Sequence, residues 1–456
     1  MQMHVSRNSF GQGPTLCSVS LSGLIRLACM LITTSWLLAG GQVEAAEKPN
    51  ALEKYVTAKD ASYKWTLEAT DRTDRGRIHR LKLVSQAWHG ITWQHRLLVV
   101  EPVRISHDDH MVLVIAGGST GSEPSRGNLT RFAELATSCS ARIAVLYQVP
   151  NQPLLGNKSE DNLISETFLR HLKTGDSTWP LLFPMVKSAV RAMDAVQELA
   201  QQKWKTTIKG FVVTGASKRG WTTWLTAAVD KRVVGLAPQV IDMLNMPVQV
   251  KHQKQQWGKF SRQIRAYTSK GLIALMQKRP NLPLWKWVDP YAYRKRLTQP
   301  KLIINGTNDP YWCVDALNNY WLGLPGPKYA LYIPNAGHGL RGGEQQLVST
   351  LSAFFRSVAT GRRMPQVTWK HGDQPGGLNL EIISDPAPVS GQLWSARSQT
   401  LDFRKSRFNS TELRREGDRL IGDVPQEAGS HVVLYGHLVY QIGDLEYGLS
   451  TQVRVK

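Results

Sequence analysis

The chain has 456 residues, of which 42% are hydrophobic and 20% are charged. These values are typical of a globular protein with one large domain and a small second one, and the sequence lacks the internal repeats of solenoids and propellers. The formal net charge of +21 favours contact with an anionic envelope surface. Because the basic residues are scattered and no nucleic-acid-binding motif accompanies them, we expect no nucleic-acid partner and interpret the charge mainly as a solubilising surface.

Residues 1–45 have the layout of a secretory signal peptide. Arg7 and Arg26 supply positive charge, an apolar run covers Leu27–Leu38, and Val43-Glu44-Ala45 fits the small-x-small cleavage pattern. An uncleaved membrane anchor is the alternative. No other segment is apolar and long enough to cross a bilayer, so we expect an exported protein, periplasmic or secreted, with no transmembrane segment after cleavage.

Four cysteines are present, and two of them, Cys17 and Cys29, fall within the predicted signal peptide. The other two, Cys139 and Cys313, have no second cysteine or histidine at metal-ligand spacing, so we predict no metal site. A disulfide between them and two buried free thiols are both compatible with an exported protein. The sequence contains no cofactor motif, and we expect no cofactor.

The region 46–365 alternates between strands and helices. Three amphipathic strands are predicted between 63 and 101, and near-continuous apolar runs follow, which are typical of buried parallel strands. These later strands are expected at 111–118, 141–150, 210–215, 233–240, 300–306 and 329–334, with helices at 128–140, 184–203, from about 219, and around 347–358. This order predicts an α/β domain with a mostly parallel sheet covered by helices on both faces.

Two segments depart from that alternation. The stretch 245–297 is rich in aromatic residues and lysines, and it is either a lid-like pocket wall or a packed helical excursion without substrate contact. The segment 366–456 has short alternating strands separated by Pro and Gly, which predicts a C-terminal all-β sandwich domain.

A strand that ends in Gly215-Ala216-Ser217 and runs directly into a helix is the first chemical signal. Small residues around the serine permit a sharp turn that lifts its hydroxyl above the sheet edge. The pattern is G-x-S-x-x-G, because Arg219 stands where the last glycine is usual and Gly220 follows. A serine that only caps the helix is the structural alternative.

Two later strands end beside an acid and a histidine. Asp309 follows the strand at 300–306, and His338 follows the strand at 329–334. The chain order Ser, Asp, His is that of the α/β-hydrolase triad, so we predict Ser217 as nucleophile, His338 as general base and Asp309 as its orienting acid. Asp315 is a second candidate for the acid.

Donors for an oxyanion are expected near the nucleophile. The backbone N–H of Lys218 is one candidate, and Gly117 or Gly118, in the glycine loop after an early strand, supplies the other. The charged side chain of Lys218 either helps to stabilise the oxyanion or faces solvent. The side chain of Arg219 is expected to face solvent.

Motifs along most of the chain from Leu52 onward are similar to those of the PhoPQ-activated pathogenicity-related protein family. The segments that carry this resemblance are SQAW, QVPNQPL, SEDNLI, PMVKSAVRAMDA, TGASKRGWTTWLTAAVDKRV, PQVIDMLN, VDPYAYRKRLTQPKLIINGTNDPYW and PNAGH. The resemblance implies an α/β-hydrolase fold with the same triad. The family includes bacterial proteins controlled by a stress regulator, and secreted eukaryotic growth repressors. The chain departs from the usual Gly-Asp pair at the acid strand with Asn308-Asp309, which retains the acid.

Three functions are compatible with these features. A dipeptidyl-peptidase type of peptidase would use Glu160 and Asp161 to bind a substrate's amino terminus, although an acidic pair in a loop is more often solvated or structural. A carboxylesterase would use the aromatic insertion for a sugar or acyl chain, with Trp221 as a further substrate-binding residue. The third is a non-catalytic binding or signalling protein that keeps the hydrolase scaffold.

Overall fold

The computed structural model describes residues 49–456. The predicted signal peptide at 1–45, with Cys17 and Cys29, lies outside the described residues. The α-helices in the described part are α1 (Ala51–Thr57), α2 (Arg126–Cys139), α3 (Glu160–Thr174), α4 (Leu182–Trp204), α5 (Lys218–Val229), α6 (Met246–Trp257), α7 (Arg265–Thr268), α8 (Leu272–Lys278), α9 (Pro283–Val288) and α10 (Glu344–Thr360). Short 3-10 helices cover Arg262–Ile264, Pro290–Arg296, Ala316–Asn319 and Trp321–Gly323.

The strands up to residue 333 agree closely with the sequence prediction. They are β1 (Lys64–Thr73), β2 (Gly76–Trp88), β3 (Ile91–Pro102), β4 (His110–Ile115), β5 (Ile143–Leu146), β6 (Gly210–Ala216), β7 (Val233–Gln239), β8 (Lys301–Gly306) and β9 (Lys328–Ile333). The remaining strands are β10 (Gln366–Gln374), β11 (Gly377–Asp385), β12 (Ser390–Ser398), β13 (Asn409–Glu412), β14 (Arg414–Glu416), β15 (Arg419–Pro425), β16 (His431–Ile442), β17 (Leu445–Ser450) and β18 (Arg454–Val455).

The central sheet has the strand order β1-β2-β3-β5-β4-β6-β7-β8-β9. The first three strands form an antiparallel meander that joins β5, and β5, β4, β6, β7, β8 and β9 are parallel. Alternate side chains of β3 enter different hydrophobic cores, with Leu97 on one face of the sheet and Leu98 on the other. The predicted α/β-hydrolase fold is therefore confirmed, and the carboxyl ends of β6, β8 and β9 meet at one edge of the sheet.

The insertion between β7 and β8 contains α6, α7, α8 and α9. Its apolar side chains continue into the same core as α4 and α5. Several of them also line a cavity beside Ser217, which favours the pocket-wall interpretation of 245–297 over a packed excursion without contact to the site.

The C-terminal segment is antiparallel throughout, as expected for the all-β part of the fold. One sheet has the order β10-β11-β15-β14, and a second group of strands extends the central sheet through β17 and β9. The connection is the pair Ser450 and Ala330, supported by the Tyr332 N–H, which donates to Ser450 Oγ at 3.0 Å. The boundary at 365 stays a prediction.

Both cysteines in the described part of the chain, Cys139 and Cys313, are buried free thiols, so the disulfide alternative is wrong. Burial in apolar surroundings raises the pKa of both thiols. Between residues 49 and 456, no helix has both the length and the apolar character required to cross a membrane.

Candidate active site

Ser217 occupies the sharp turn between β6 and α5. Its backbone has φ 57° and ψ −124°, a conformation that L-residues avoid and that a tight strand-to-helix turn imposes. The Ser217 N–H donates to the Gln239 carbonyl at 2.9 Å, which anchors the turn to the neighbouring strand β7. The serine sits in the strained position that the sequence motif predicts for a nucleophile, and no side-chain cap bond to the helix is present.

Two glycines make this turn possible. A Cβ at Gly215 would lie 2.8 Å from the Arg219 carbonyl, and a Cβ at Gly220 would lie 2.9 Å from the Gly215 carbonyl and 2.7 Å from Ile241 Cγ2. The close approach thus falls at residue 220, and residue 219 is free to carry a large side chain. This explains why G-x-S-x-x-G serves here as well as the shorter motif.

Asp309 and His338 meet Ser217 at the sheet edge. His338 Nε2 lies 2.9 Å from Ser217 Oγ, and His338 Nδ1 lies 2.8 Å from Asp309 Oδ2. The other carboxylate oxygen of Asp309 accepts the Tyr311 N–H at 2.8 Å, and Asp309 is buried. Asp315, the alternative acid, instead contacts His252 at 2.8 Å.

Tyr311 contacts both members of the acid–base pair, a role that the sequence did not reveal. Its ring stacks on the His338 imidazole with centroids 4.2 Å apart and planes 29° apart. Burial raises the pKa of the Tyr311 phenol to about 12, and the carboxylates of Asp161 and Asp309 add to this shift. The stacked Tyr311 ring therefore restricts rotation of the His338 imidazole.

The loops that carry Asp309 and His338 are held by residues 403–408 of the C-terminal segment. The Asn308 side-chain amide donates to the carbonyls of Phe403, Arg404 and Ser406 at 3.3, 3.3 and 2.7 Å. The Asn335 side chain accepts the Phe408 N–H at 2.8 Å and donates to the Phe408 carbonyl at 3.0 Å. We call these contacts the asparagine brace.

The predicted oxyanion donors lie around the same turn. Lys218 is the first residue of α5, so its N–H lies at the amino end of a helix, where anions are stabilised. A Cβ at Gly117 would lie 2.6 Å from the Arg219 guanidinium, which places the glycine loop against the residues that follow Ser217. Gly118 has φ +118°, a conformation that favours glycine. Their role as donors remains a proposal.

The expectation that Arg219 faces solvent is wrong. Arg219 is buried, and its guanidinium donates to both oxygens of Glu160, at 2.6 and 2.9 Å, and to the Val149 carbonyl at 2.6 Å. Glu160 is the first residue of α3, whose helix the sequence prediction did not include. Burial raises the pKa of Glu160, but the hydrogen bonds and charge of Arg219, with the charge of Lys218, lower it to about 2.

Lys218 completes this charge network beside Ser217. Its Nζ lies 3.1 Å from Glu160 Oε2 and 3.2 Å from Asp161 Oδ2, and its side chain is only 9% exposed. The Tyr267 hydroxyl donates to Asp161 Oδ1 at 3.0 Å. The predicted substrate-binding acids are therefore brought to the site, but as partners of Lys218 and Arg219.

A cavity of about 790 Å³, counted with its opening to solvent, adjoins Ser217. Trp221 forms part of its wall and donates its indole N–H to the Val288 carbonyl. Most of the lining is apolar and comes from the segment after β7 and from the insertion: examples are Ile241, Met243, Met246, Val250, Ile264 and Met276. Polar side chains at the cavity include Lys218, Asp161 and Tyr267.

One group of side chains in the described residues has donor atoms close enough to hold a metal ion. His252, Cys313 and Asp315 have potential ligand atoms within 4.8 Å of one another. The His252–Asp315 contact is already a hydrogen bond, and burial keeps the Cys313 thiol protonated by raising its pKa. In this structure the group is a hydrogen-bonded His252–Asp315 pair beside the buried Cys313 thiol.

Sequence comparison relates the chain to characterised proteins. The profile of the family described as PhoPQ-activated pathogenicity-related protein matches residues 52–404. Autocrine proliferation repressor protein A of Dictyostelium discoideum is 32% identical over 375 residues, which are 77% of this chain and 76% of that protein.

Comparison with solved structures gives remote likenesses. Acetyl xylan esterase 1 from Thermoanaerobacterium sp. JW/SL YS485 has a TM-score of 0.48 at 14% identity, over 68% of this chain and 91% of the esterase. The acetyl xylan esterase of Paenibacillus sp. R4 has a TM-score of 0.44 at 14% identity, over 63% and 86% of the two chains.

Proposed function

The chain belongs to the PhoPQ-activated pathogenicity-related protein family, and we propose that it is a serine hydrolase that transfers an acyl group to water. The observation that carries the proposal is the chain of contacts from Ser217 Oγ through His338 to Asp309, at 2.9 and 2.8 Å. Both distances lie within the range of a nucleophile–base and a base–orienter hydrogen bond.

The proposed reaction begins with attack of Ser217 Oγ on a carbonyl carbon. His338 Nε2 accepts the hydroxyl proton as the C–O bond forms, and it returns that proton to the leaving group when the tetrahedral intermediate collapses to an acyl-serine. Water then attacks the acyl-serine, with His338 again taking a proton and returning it to Ser217. Asp309 keeps the Nδ1 proton of His338 in place and stabilises the imidazolium.

The tetrahedral intermediate needs two donors for its oxygen. We assign the Lys218 N–H at the start of α5 and an N–H of the loop Gly117-Gly118 to this role. The Lys218 side chain adds positive charge near the site, but its pairing with Glu160 and Asp161 offsets most of it. Backbone donors are therefore the main electrostatic contribution in this proposal.

Turnover of an activated short-chain ester tests the proposal. With 4-methylumbelliferyl butyrate, we expect Ser217→Ala to lower kcat/KM by about 10³-fold or more, because only binding and the oxyanion donors remain. Ser410→Ala, a change of an exposed serine in β13, is the matched control and retains turnover. Equal activity of the wild type and Ser217→Ala contradicts the proposal.

A non-catalytic signalling role is the second candidate, and the name of the Dictyostelium discoideum relative, a proliferation repressor, favours it. In that case the sheet of β10, β11, β15 and β14 would be the partner surface. A cell-proliferation assay with purified wild type and Ser217→Ala separates the two roles, because a signalling role without catalysis is unaffected by the substitution.

We also propose that the protein acts outside the cytoplasm, on the basis of the signal-peptide pattern at 1–45. N-terminal sequencing of the protein recovered from cell fractions tests this, with a new terminus at Ala46 as the expected result. Contact with an anionic envelope surface remains a prediction from the net charge.

A further inference from the structure

We propose that the cavity beside Ser217 binds the uncharged hydrocarbon chain of a fatty acyl group, so that the preferred substrates are acyl esters rather than peptides with a free amino terminus. This inference rests on the proposed serine-hydrolase function and specifies its substrate class. Two observations carry it: the charge balance at the cavity, and the composition of its walls.

The charges next to the nucleophile cancel within the protein. Glu160 receives Arg219 on both oxygens, Lys218 on Oε2 and the Gln152 side-chain amide on Oε1. Asp161 receives Tyr267 on one oxygen and Lys218 on the other. Two carboxylates therefore face two cations, and all four carboxylate oxygens already have a donor.

A substrate ammonium group would be a third cation beside two carboxylates whose charges Arg219 and Lys218 already balance. Three cations would then share two carboxylates in a largely buried network, which is costly because burial disfavours unbalanced charge. The network therefore disfavours recognition of an amino terminus by Glu160 and Asp161. The same charge balance disfavours a charged acyl chain, because the charged residues that line the cavity, Asp161 and Lys218, are already paired with each other.

The walls beyond Ser217 suit hydrocarbon. Met243, Met246, Ile264, Leu272, Ile273 and Met276 contribute to them, from the segment after β7 and from the insertion. Methionine and branched aliphatic side chains adapt to a flexible chain and exclude water from it. Because Ser217 opens into the same cavity, an acyl chain lying there has its carbonyl carbon at the nucleophile.

A chain-length series tests the inference with the full mature protein. Each methylene that leaves water contributes about 0.8 kcal/mol, so kcat/KM for 4-methylumbelliferyl esters should rise about fourfold per methylene, or roughly 200-fold from acetate to hexanoate. The hexanoate should exceed the 6-aminohexanoate ester by at least about 100-fold. A dipeptidyl aminomethylcoumarin with a free amino terminus should give no cleavage.

Variants of the wall sharpen the test. Met276→Ala enlarges the cavity and should move the optimum to longer chains, whereas Ile273→Trp fills it and should move the optimum to shorter ones. Leu284→Ala is the matched control, since Leu284 is buried in the same insertion but does not line the cavity. It should leave the chain-length profile unchanged, and the opposite directions of the first two shifts keep the test decisive if one variant folds poorly.

The outcomes separate this inference from the proposed function. Fluorophosphonate labelling at Ser217 with a flat chain-length profile, or with preference for the aminohexanoate or the dipeptide, overturns the acyl-chain site and leaves the serine hydrolase in place. Absence of both labelling and ester turnover overturns the serine hydrolase itself, and the acyl-chain site with it.

Discussion

Ser217 and the pair Asp309–His338 are positioned by different parts of the chain. The serine is held by its own strand, turn and helix: its N–H is bound by Gln239, and Gly215 and Gly220 allow the tight backbone approach. All of these residues belong to β6, β7 and the start of α5. Asp309 and His338 are instead held by contacts with distant segments.

The distant contacts come from two directions. The asparagine brace ties Asn308 and Asn335 to residues 403–408. From the insertion, the Gln253 side-chain amide donates to the Tyr311 carbonyl at 2.8 Å, and the Ser261 hydroxyl donates to the Pro310 carbonyl at 2.6 Å. The position of Ser217 is therefore sensitive to local sterics, whereas the positions of Asp309 and His338 depend on how other parts of the molecule pack against their loops.

Asp309→Asn has the largest expected effect, because it acts on the base without changing the nucleophile. An amide beside Nδ1 no longer fixes the imidazole tautomer or stabilises its charge, so kcat/KM should fall by about 10⁴-fold with little change in thermal stability. Asp315→Asn, which alters the contact with His252, is the control and should change kcat/KM by less than about threefold. A larger loss of kcat/KM in Asp315→Asn than in Asp309→Asn would mean that Asp315, and not Asp309, is the orienting acid.

Asp242→Asn tests the repulsion between a buried carboxylate and the carboxylates of Asp309 and Asp315. Burial raises the pKa of Asp242 to about 7; the Tyr320 hydroxyl opposes this, and the charges of Asp309 and Asp315 add to it. The folded state thus binds this proton more tightly than the unfolded state, and stability from Asp242 is lost as the pH rises from about 4 to about 7.

The asparagine variant removes that pH-dependent loss. At pH 8 it should exceed the wild type in free energy of unfolding by up to about 4 kcal/mol, and the difference should shrink toward pH 4. Urea unfolding at both pH values measures this. An equal difference at the two pH values would mean that Asp242 does not titrate in this range.

Gly220→Ala tests the turn that carries Ser217, through a steric clash alone. Its Cβ would meet the Gly215 carbonyl and Ile241, so the turn has to shift, at a cost of about 1–3 kcal/mol in unfolding free energy. Gly127→Ala is the control, because Gly127 lies in α2 with open space around it and alanine favours helix there. Thermal unfolding of both variants measures the difference, and equal stabilities would show that the turn tolerates a Cβ.

Asn308→Ala is expected to have the smallest effect, since it loosens the brace without touching the reacting atoms. We expect kcat to fall about tenfold with KM nearly unchanged, because the substrate cavity is intact and only the alignment of Asp309 and His338 suffers. Asn379→Ala, which removes a side-chain contact with Asp423 on the C-terminal sheet, should leave both constants unchanged. A rise in KM alone would indicate a binding role for Asn308.

The sequence is sufficient to predict those site residues that lie at the carboxyl ends of strands. Apolar runs followed by Gly-Ala-Ser, Asn-Asp and Ala-Gly-His mark β6, β8 and β9, and parallel strands bring their carboxyl ends to one edge. The nine strands of the central region follow from the same periodicity. Local pattern therefore predicts the fold and the proposed triad residues.

Contacts between distant segments were not predictable in this way. The sequence predicts Arg219 to be an exposed helix residue, because the contact with Glu160 exists only once α3 packs beside it. The sequence prediction does not include α3, although Leu163, Ile164 and Phe168 have helical spacing. No local pattern pairs Asn308 with residues 403–408. Neutralisation of the acidic pair, on which the proposed preference for ester substrates rests, depends on these tertiary contacts.

Labelling with a fluorophosphonate probe, followed by mass mapping of the modified peptide, tests the central claim most directly. We predict stoichiometric modification at Ser217 in the folded wild type, and loss of labelling in His338→Ala, which keeps the serine but removes its base. Modification at another serine, or no modification of well-folded wild type, would contradict the assignment of Ser217, His338 and Asp309 as a working triad.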